Sequence, residues 1–230
     1  MSLAVLHADD HLAVVDKPPG RIVVPGRGTP EVTVRQEAEA ILGPLWVVHR
    51  LDRGTSGALL LARSAGVHRS LCALFEKHAV SKRYLALVRG AVATDLRIDV
   101  PVAAGRKGRM RAGVGLPGAR PSTTFVRPLV SFGGVATLVE AFPASGRTHQ
   151  VRVHLAHAGH PLLVDPDYGE DPPWTVPGGG ARLSRTPLHA ASLEFLHPVS
   201  GLPMRVEAPI PEDMNAVLAA LRSGQPSNSG

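Results

Sequence analysis

The sequence predicts an α+β fold: a mixed, largely antiparallel β-sheet with flanking helices. Three observations predict it. Glycine and proline are abundant, 24 and 21 of 230 residues, so the chain must turn often. Short apolar runs recur, several of them separated by turn residues as hairpins are. Helical patterns fall between these runs without the strict strand–helix alternation of a parallel α/β fold. Only 4% of residues are aromatic, so the core must be made of Val, Leu, Ile and Ala.

The elements follow in order. Residues 4–7 and 12–16 read as a hairpin turned at Asp9 and Asp10. Pro18, Pro19 and Gly20 stop the second strand, and a Gly- and Pro-rich loop, including Val24, Pro25, Gly26 and Arg27, runs on to Thr29. Residues 32–42 carry Val34, Ala38 and Ile41 at helical spacing, with Gly43 and Pro44 as the stop. Residues 58–62 are apolar throughout and short enough for a buried strand. Ser64 caps a helix reaching His78, with Leu71, Leu74 and Phe75 as its stripe and Cys72 expected in the core.

Residues 82–89 alternate, with Tyr84, Ala86 and Val88 on one face and Leu85 and Leu87 on the other. A basic, Gly-rich segment containing Arg106, Lys107, Arg109 and Arg111 lies between Pro101 and Ser122. Residues 123–130 and 135–141 read as a hairpin around Gly133 and Gly134, and residues 148–158 as a helix closed by Gly159. A loop over 166–185, strands at 188–196 and 204–207 and a helix at 213–222 complete one domain, 1–222. The polar residues 223–230 are expected to be a disordered tail.

One cysteine excludes a disulfide framework and a cysteine-based metal site. Asp9, Asp10 and His11 break the N-terminal apolar pattern, which is unlike a signal peptide, and no apolar run is long enough to span a bilayer. A cytoplasmic protein with no membrane partner is expected. The net charge of +6 favours polyanions, though charge alone does not specify nucleic acid.

Two stretches stand out chemically. In His49-Arg50-Leu51-Asp52-Arg53-Gly54-Thr55-Ser56-Gly57 a carboxylate lies between two arginines at a turn. Taken alone, Asp52 reads equally well as a turn cap or an ion-pair partner. In Ser145-Gly146-Arg147-Thr148-His149-Gln150-Val151-Arg152, His149 and Arg152 project together if the segment is helical, which also describes a solvated face.

Together these stretches resemble the RluA-type family of pseudouridine synthases, whose motif is His-Arg-Leu-Asp-x-x-Thr-Ser-Gly. Residues 49–57 match it at every fixed position, and the likeness continues through Lys82 to Val88, Gly146 to Gly169, Leu188-His189-Ala190 and His197-Pro198. It implies a catalytic domain with a central RNA-binding cleft. It also implies that Asp52 is the catalytic carboxylate, Tyr84 the active-site tyrosine and Arg152 the arginine paired with the aspartate. Arg50 corresponds to the arginine that fills the gap left by a displaced nucleotide. RNA contacts are further expected from His49, Arg53, Thr55, Lys82, Arg147, His149, Arg106, Lys107 and Arg109, and with less support from the loop ending at Arg27.

Such a reaction exchanges the N1–C1′ bond of uridine for a C5–C1′ bond, an isomerisation that needs no cofactor. The absence of any Gly-rich phosphate loop or dinucleotide fingerprint agrees. The substrate is expected to be a stem-loop of ribosomal or transfer RNA, with the base flipped out for reaction. Family members often carry a small RNA-binding domain ahead of the catalytic one. Here the likeness begins almost at Met1, so that domain is expected to be missing, and the protein is expected to act as a monomer.

Other readings were weighed. His149, His154, His157 and His160 invite zinc, but no HExxH spacing accompanies them, so no metal is expected. A hydrolase acting on a glycosidic bond would need a second carboxylate. Asp165 and Asp167 are available, though turn roles suit them better. An inactive RNA chaperone of the same fold would not need Asp52, Tyr84 and Arg152 together.

Overall fold

The structure, a computed structural model, describes residues 3–26 and 31–223 apart from the side chain of Lys107. Its elements begin β1 (Ala4–Ala8), β2 (Leu12–Lys17), α1 (Val34–Leu42), β3 (Trp46–Val47), β4 (Ser56–Ala62), α2 (Ala65–Glu76) and β5 (Ser81–Arg89). Next come β6 (Leu96–Asp99), β7 (Val102–Ala104), a 3-10 turn (Arg106–Gly108), β8 (Met110–Ala112), β9 (Thr123–Phe132) and β10 (Ala136–Pro143). The last are α3 (Gln150–His157), β11 (Trp174–Thr175), β12 (Arg182–Leu183), β13 (Leu188–Leu196), β14 (Pro203–Glu207) and α4 (Glu212–Ser223). The architecture is α+β with largely antiparallel strands, as expected. Contacts divide the chain into two compact units, one of residues up to 83 with 189–209, the other of 84–188 with those from 210 on.

In the first unit the strands lie in the order β1-β2-β4-β13, with β3 beside β4 and β14 beside β13. Every pair is antiparallel except β4–β13, where Ser56 opposes His189 and Gly57 opposes Ala190. All seven residues of β4 are buried, which is why it reads as a continuous apolar run rather than an alternating one. Helix α2 packs Val67 and Leu71 against Leu12, Leu60 and Phe195. The cap expected of Ser64 is present, its Oγ accepting the Val67 N–H at 3.2 Å. Cys72 departs from its expected place in the core. It is half-buried, one position around the helix from Leu71, with Sγ 3.4 Å from His68 Nε2. Helix α1 begins later than its pattern suggested because Thr33 is an extended N-cap, closed with Gln36 as a capping box.

The second unit carries the antiparallel order β5-β10-β9-β6. The β9–β10 turn rests on Gly133 and Gly134, with φ of 58° and 73° and Val135 N–H donating to Phe132 O at 3.0 Å. Two successive left-handed residues are what a two-residue hairpin matched to strand twist needs. Pro128 stands in β9 where the register with β10 shifts, a site where its missing N–H costs no ladder bond. Ala86, Val88, Val139, Ala141, Val151 and Leu155 share one core, with Tyr84 packed at its edge. Helix α4 buries Met214, Val217, Leu218 and Leu221, and Asp213 in its first turn accepts two bonds from Arg185 at 2.6 and 2.8 Å.

Helix α3 starts at Gln150, two residues later than expected, because His149 adopts a left-handed backbone (φ 54°) and no helix can run through it. The segment expected as a loop over 166–185 holds the short pair β11–β12, and β3 and β6 had no counterpart in the sequence reading. The expected tail from 224 on and Arg27 lie outside the described residues.

Candidate active site

The Asp52 segment is a turn clamped from below by an ammonium. Thr55 N–H donates to Asp52 O at 3.0 Å, closing a four-residue turn that leaves Asp52 half-buried and Arg50 and Arg53 exposed. Lys17, the last residue of β2, is fully buried, and its Nζ donates to Thr55 O at 2.7 Å, Pro18 O at 3.0 Å and Arg53 O at 3.2 Å. Gly20 N–H adds a bond to Arg53 O at 2.8 Å, and Arg53 returns one to Gly20 O at 3.1 Å. Arg53 also grips Glu31 with two bonds, at 2.7 and 2.9 Å. Thr55 is 2% exposed, and its Oγ1 has no hydrogen-bond partner among the described residues, so this side chain belongs to the packing under the turn.

Replacing Lys17 by Met keeps the volume but leaves three buried carbonyls short of a charged donor. The expected cost is about 3 kcal/mol, a fall in Tm of roughly 6–12 °C for a chain of this size. Thermal unfolding read beside activity checks it. A Tm within about 2 °C of wild type would show that the Asp52 turn holds itself.

His49 is an internal support. Its ring stacks on Phe75 with centroids 4.8 Å apart, and its Nε2 accepts the Leu60 N–H at 3.0 Å. Burial, with the Lys82 ammonium beside it, pushes its pKa down to about 3, so the ring is neutral. Burial likewise lowers Lys82 to about 8, leaving its charge responsive near neutral pH.

In the second unit Arg152 is the hub. It is 6% exposed, and its Nε and Nη2 bind Asp165 at 2.8 and 2.6 Å while Nη2 also reaches Asp167 at 2.8 Å. Asp165, itself fully buried, accepts the N–H groups of Asp167 at 3.0 Å and Tyr168 at 3.3 Å, so it is both turn and ion-pair partner. Burial raises the Asp167 carboxyl, but Arg152, His149 and Arg109 outweigh it and hold the group below the usual range. The Arg152 guanidinium lies over the Tyr168 ring, 5.1 Å from its centroid. The solvated-face reading of this segment is therefore wrong: Gln150 to Leu155 are all buried.

Tyr168 ties this hub to the basic hairpin β7–β8. Its oxygen accepts the Met110 N–H at 2.7 Å and lies 2.8 Å from His149 Nδ1. Arg109 adds bonds to Asp167 Oδ1 at 3.2 Å and Pro166 O at 3.0 Å. An open cavity of about 780 Å³ is lined here by Arg106, Arg109, Arg111, Asp167 and Tyr168. The side chain of Lys107, on the same hairpin, lies outside the described residues.

Of the residues singled out from sequence, Asp52, Arg50, His49, Arg53, Thr55 and Lys82 fall in the first unit. Tyr84, Arg147, His149, Arg152, Arg106 and Arg109 fall in the second. His49 and Lys82 act on each other, and His149, Arg152 and Arg109 converge on Tyr168 and Asp167. Arg147 is half-buried and its backbone N–H donates to Gln150 Oε1 at 3.1 Å.

Sequence reasoning missed Lys17, Tyr168 and Gln150. Gln150 also bonds Ser145 Oγ at 2.6 Å and Thr123 O at 3.0 Å, nailing the 145–150 loop to β9. A lysine closing an otherwise apolar strand was the one available signal for Lys17. The four histidines form no metal cluster among the described residues. His154 uses Nδ1 on Thr124 Oγ1 at 2.8 Å and Nε2 on Val100 O at 2.9 Å, the packing role expected of it.

Known proteins place these features in a family. A family model described as RNA pseudouridylate synthase matches residues 11–157. Ribosomal large subunit pseudouridine synthase D of Xanthomonas campestris is 38% identical over 234 residues, spanning 96% of this chain and 70% of that protein. Ribosomal large subunit pseudouridine synthase C of Escherichia coli K12 is 39% identical over 232 residues, again 96% and 70%. Among solved structures, human RNA pseudouridylate synthase domain containing 4 superposes with a TM-score of 0.75 at 25% identity, covering 95% of this chain and 93% of that one. Human RNA pseudouridylate synthase domain containing 1 gives 0.72 at 26% identity, covering 97% and 96%. With the Asp52 motif complete, and likeness running through both units, the chain belongs to the RNA pseudouridylate synthase family.

Proposed function

We propose that this enzyme isomerises specific uridines of a structured RNA, ribosomal RNA first, with Asp52 as the catalytic carboxylate. The observation that carries the reading is the intact Asp52 motif on a turn locked by the buried Lys17 ammonium. Rate enhancement depends on holding a reacting group in place before substrate arrives, and a clamped turn does that. Ribosomal RNA is favoured over transfer RNA because the relatives named above are ribosomal large subunit synthases.

In this reading the N1–C1′ bond breaks with Asp52 assisting, the uracil turns, and C5 bonds to C1′. The proton on C5 is then lost and N1 regains one, so the product is an isomer and no cofactor is consumed. Tyr84 stacks on the base and assists that proton transfer. Arg152 pairs with Asp52 and favours its ionised form. Arg50 fills the space of the flipped nucleotide, and Arg106, Lys107 and Arg109 meet the RNA backbone. Arg53, Lys82, Arg147 and His149 support the same surface, with His49 and Thr55 beneath it. The protein works as a monomer in the cytoplasm. Asp165 and Asp167, the second acids that a hydrolase would need, are committed to Arg152, which disfavours that rival.

The test is incubation of the purified chain with ribosomal and transfer RNA, followed by carbodiimide mapping of pseudouridine and assay of free uracil. New stops at defined uridines without uracil release are expected. Uracil release would support the hydrolase, and RNA binding with neither product would support the chaperone.

A further inference from the structure

We propose that Tyr168 is a positioning residue that couples RNA held on the β7–β8 hairpin to the guanidinium of Arg152. The proposal rests on the reading above and deepens it, since the residue touches neither base nor sugar in that reading.

The argument is geometric. Three bonds join the hairpin to the turn over residues 165–168: Met110 N–H to Tyr168 OH, and Arg109 to both Asp167 and Pro166. Three charge-assisted bonds then join that turn to Arg152. Tyr168 belongs to both sets, because its ring lies under the guanidinium while its hydroxyl takes the hairpin amide. The same hydroxyl bonds His149, whose left-handed backbone sets where α3, and so Arg152, begins.

The hairpin is the element free to respond. Its two strands have three residues each, and Arg106, Arg109 and Arg111 are exposed around the open cavity. A phosphate competing for Arg109 would loosen its bond to Asp167, a surface pair 55% and 30% exposed. The Tyr168 contacts are shielded and uncharged on the phenol side, so they persist and transmit the hairpin's position. Burial raises the phenol's pKa, which keeps its proton in place.

Two variants separate the two halves of the side chain. Tyr168→Phe keeps the ring and removes both hydroxyl bonds. It is expected to raise KM for a substrate stem-loop about tenfold and to lower kcat by a smaller factor, about threefold. Tyr168→Leu removes the ring as well and is expected to lower kcat about a hundredfold. Arg106→Ala should weaken RNA binding in wild type and weaken it less in the Tyr168→Phe background, because the coupling has already been cut.

Amide exchange at Met110 and RNA binding by fluorescence titration are read on the same variants. These two report on the tether even if pseudouridine formation fails with every RNA, so failure of the parent reading is recognisable by itself. Faster exchange at Met110 together with the KM-weighted loss, or with non-additive RNA binding, supports the proposal. Unchanged exchange, additive effects of Tyr168→Phe and Arg106→Ala, or KM and kcat falling off together in step with Tm overturns it.

Discussion

Asp52→Asn is expected to reduce pseudouridine formation by about 10⁴-fold or more while the protein still folds. Losing a group that acts directly on the reacting bond typically costs this much, because geometry and binding alone give only the residual rate. Asn keeps the shape of the side chain, and the turn around it is held by backbone atoms: Asp52 O accepts Thr55 N–H, and Lys17 grips the carbonyls of Arg53 and Thr55. Stability is therefore expected to change by less than about 1 kcal/mol. Single-turnover assays on a mapped RNA, beside thermal unfolding, separate the two effects. Activity within about tenfold of wild type would remove Asp52 from the chemistry. Arg152 offers no such clean test, since cutting its pair with buried Asp165 is expected to cost about 3–5 kcal/mol by itself.

Gly57→Ala is expected to prevent the first unit from folding at ordinary temperature. Gly57 closes the Asp52 motif and sits in β4 opposite Ala190 of β13, with φ +111°. A Cβ there would lie 2.2 Å from Ala190 O and 2.8 Å from Ala190 N and C, all backbone atoms of a paired strand. Neither strand can retreat without breaking the parallel pairing, so the expected loss exceeds about 4 kcal/mol, a fall in Tm of more than roughly 8 °C. Gly66, in the first turn of α2, makes the contrast. A Cβ there meets nothing nearer than Ser64 Oγ at 3.9 Å, so Gly66→Ala is expected to stabilise by about 0.5–1 kcal/mol. Thermal unfolding of the two variants should move in opposite directions. If both shift alike, the close approach at Gly57 is not what requires a glycine there.

The same residue shows why a motif can be complete in sequence while its reasons lie elsewhere. Nothing local asks for glycine at 57, which stands within a strand where glycine is normally a cost. Its partner is a carbonyl more than a hundred residues along the chain. Thr55 and Ser56 behave alike: Thr55 packs under the Asp52 turn, and Ser56 Oγ lies 3.0 Å from His189 Nδ1. The likeness to a family carried the candidate residues, and the structure supplies the contacts that hold several of them.

The sequence by itself determined the features governed by neighbours along the chain. The Gly133-Gly134 hairpin, the Ser64 cap, the alternation of β5 and the buried run of β4 depend on turn chemistry and side-chain period, which act over a few residues. The Asp52 motif and its family were legible for the same reason, as a contiguous string. Only the tertiary structure decided what depends on distant partners. The Lys17 ammonium finds Thr55 O across 38 positions, and Tyr168 finds the Met110 amide across 58. The left-handed His149, which delays α3, belongs to a loop fastened to β9 by Gln150. Two-residue strands such as β3 and β11 carry too few side chains to show a period, so pairing with a remote strand alone defines them. Cys72 shows the remaining limit: an apolar helical pattern fixes a buried stripe, but only the packing of α2 decides which residues lie at its edge.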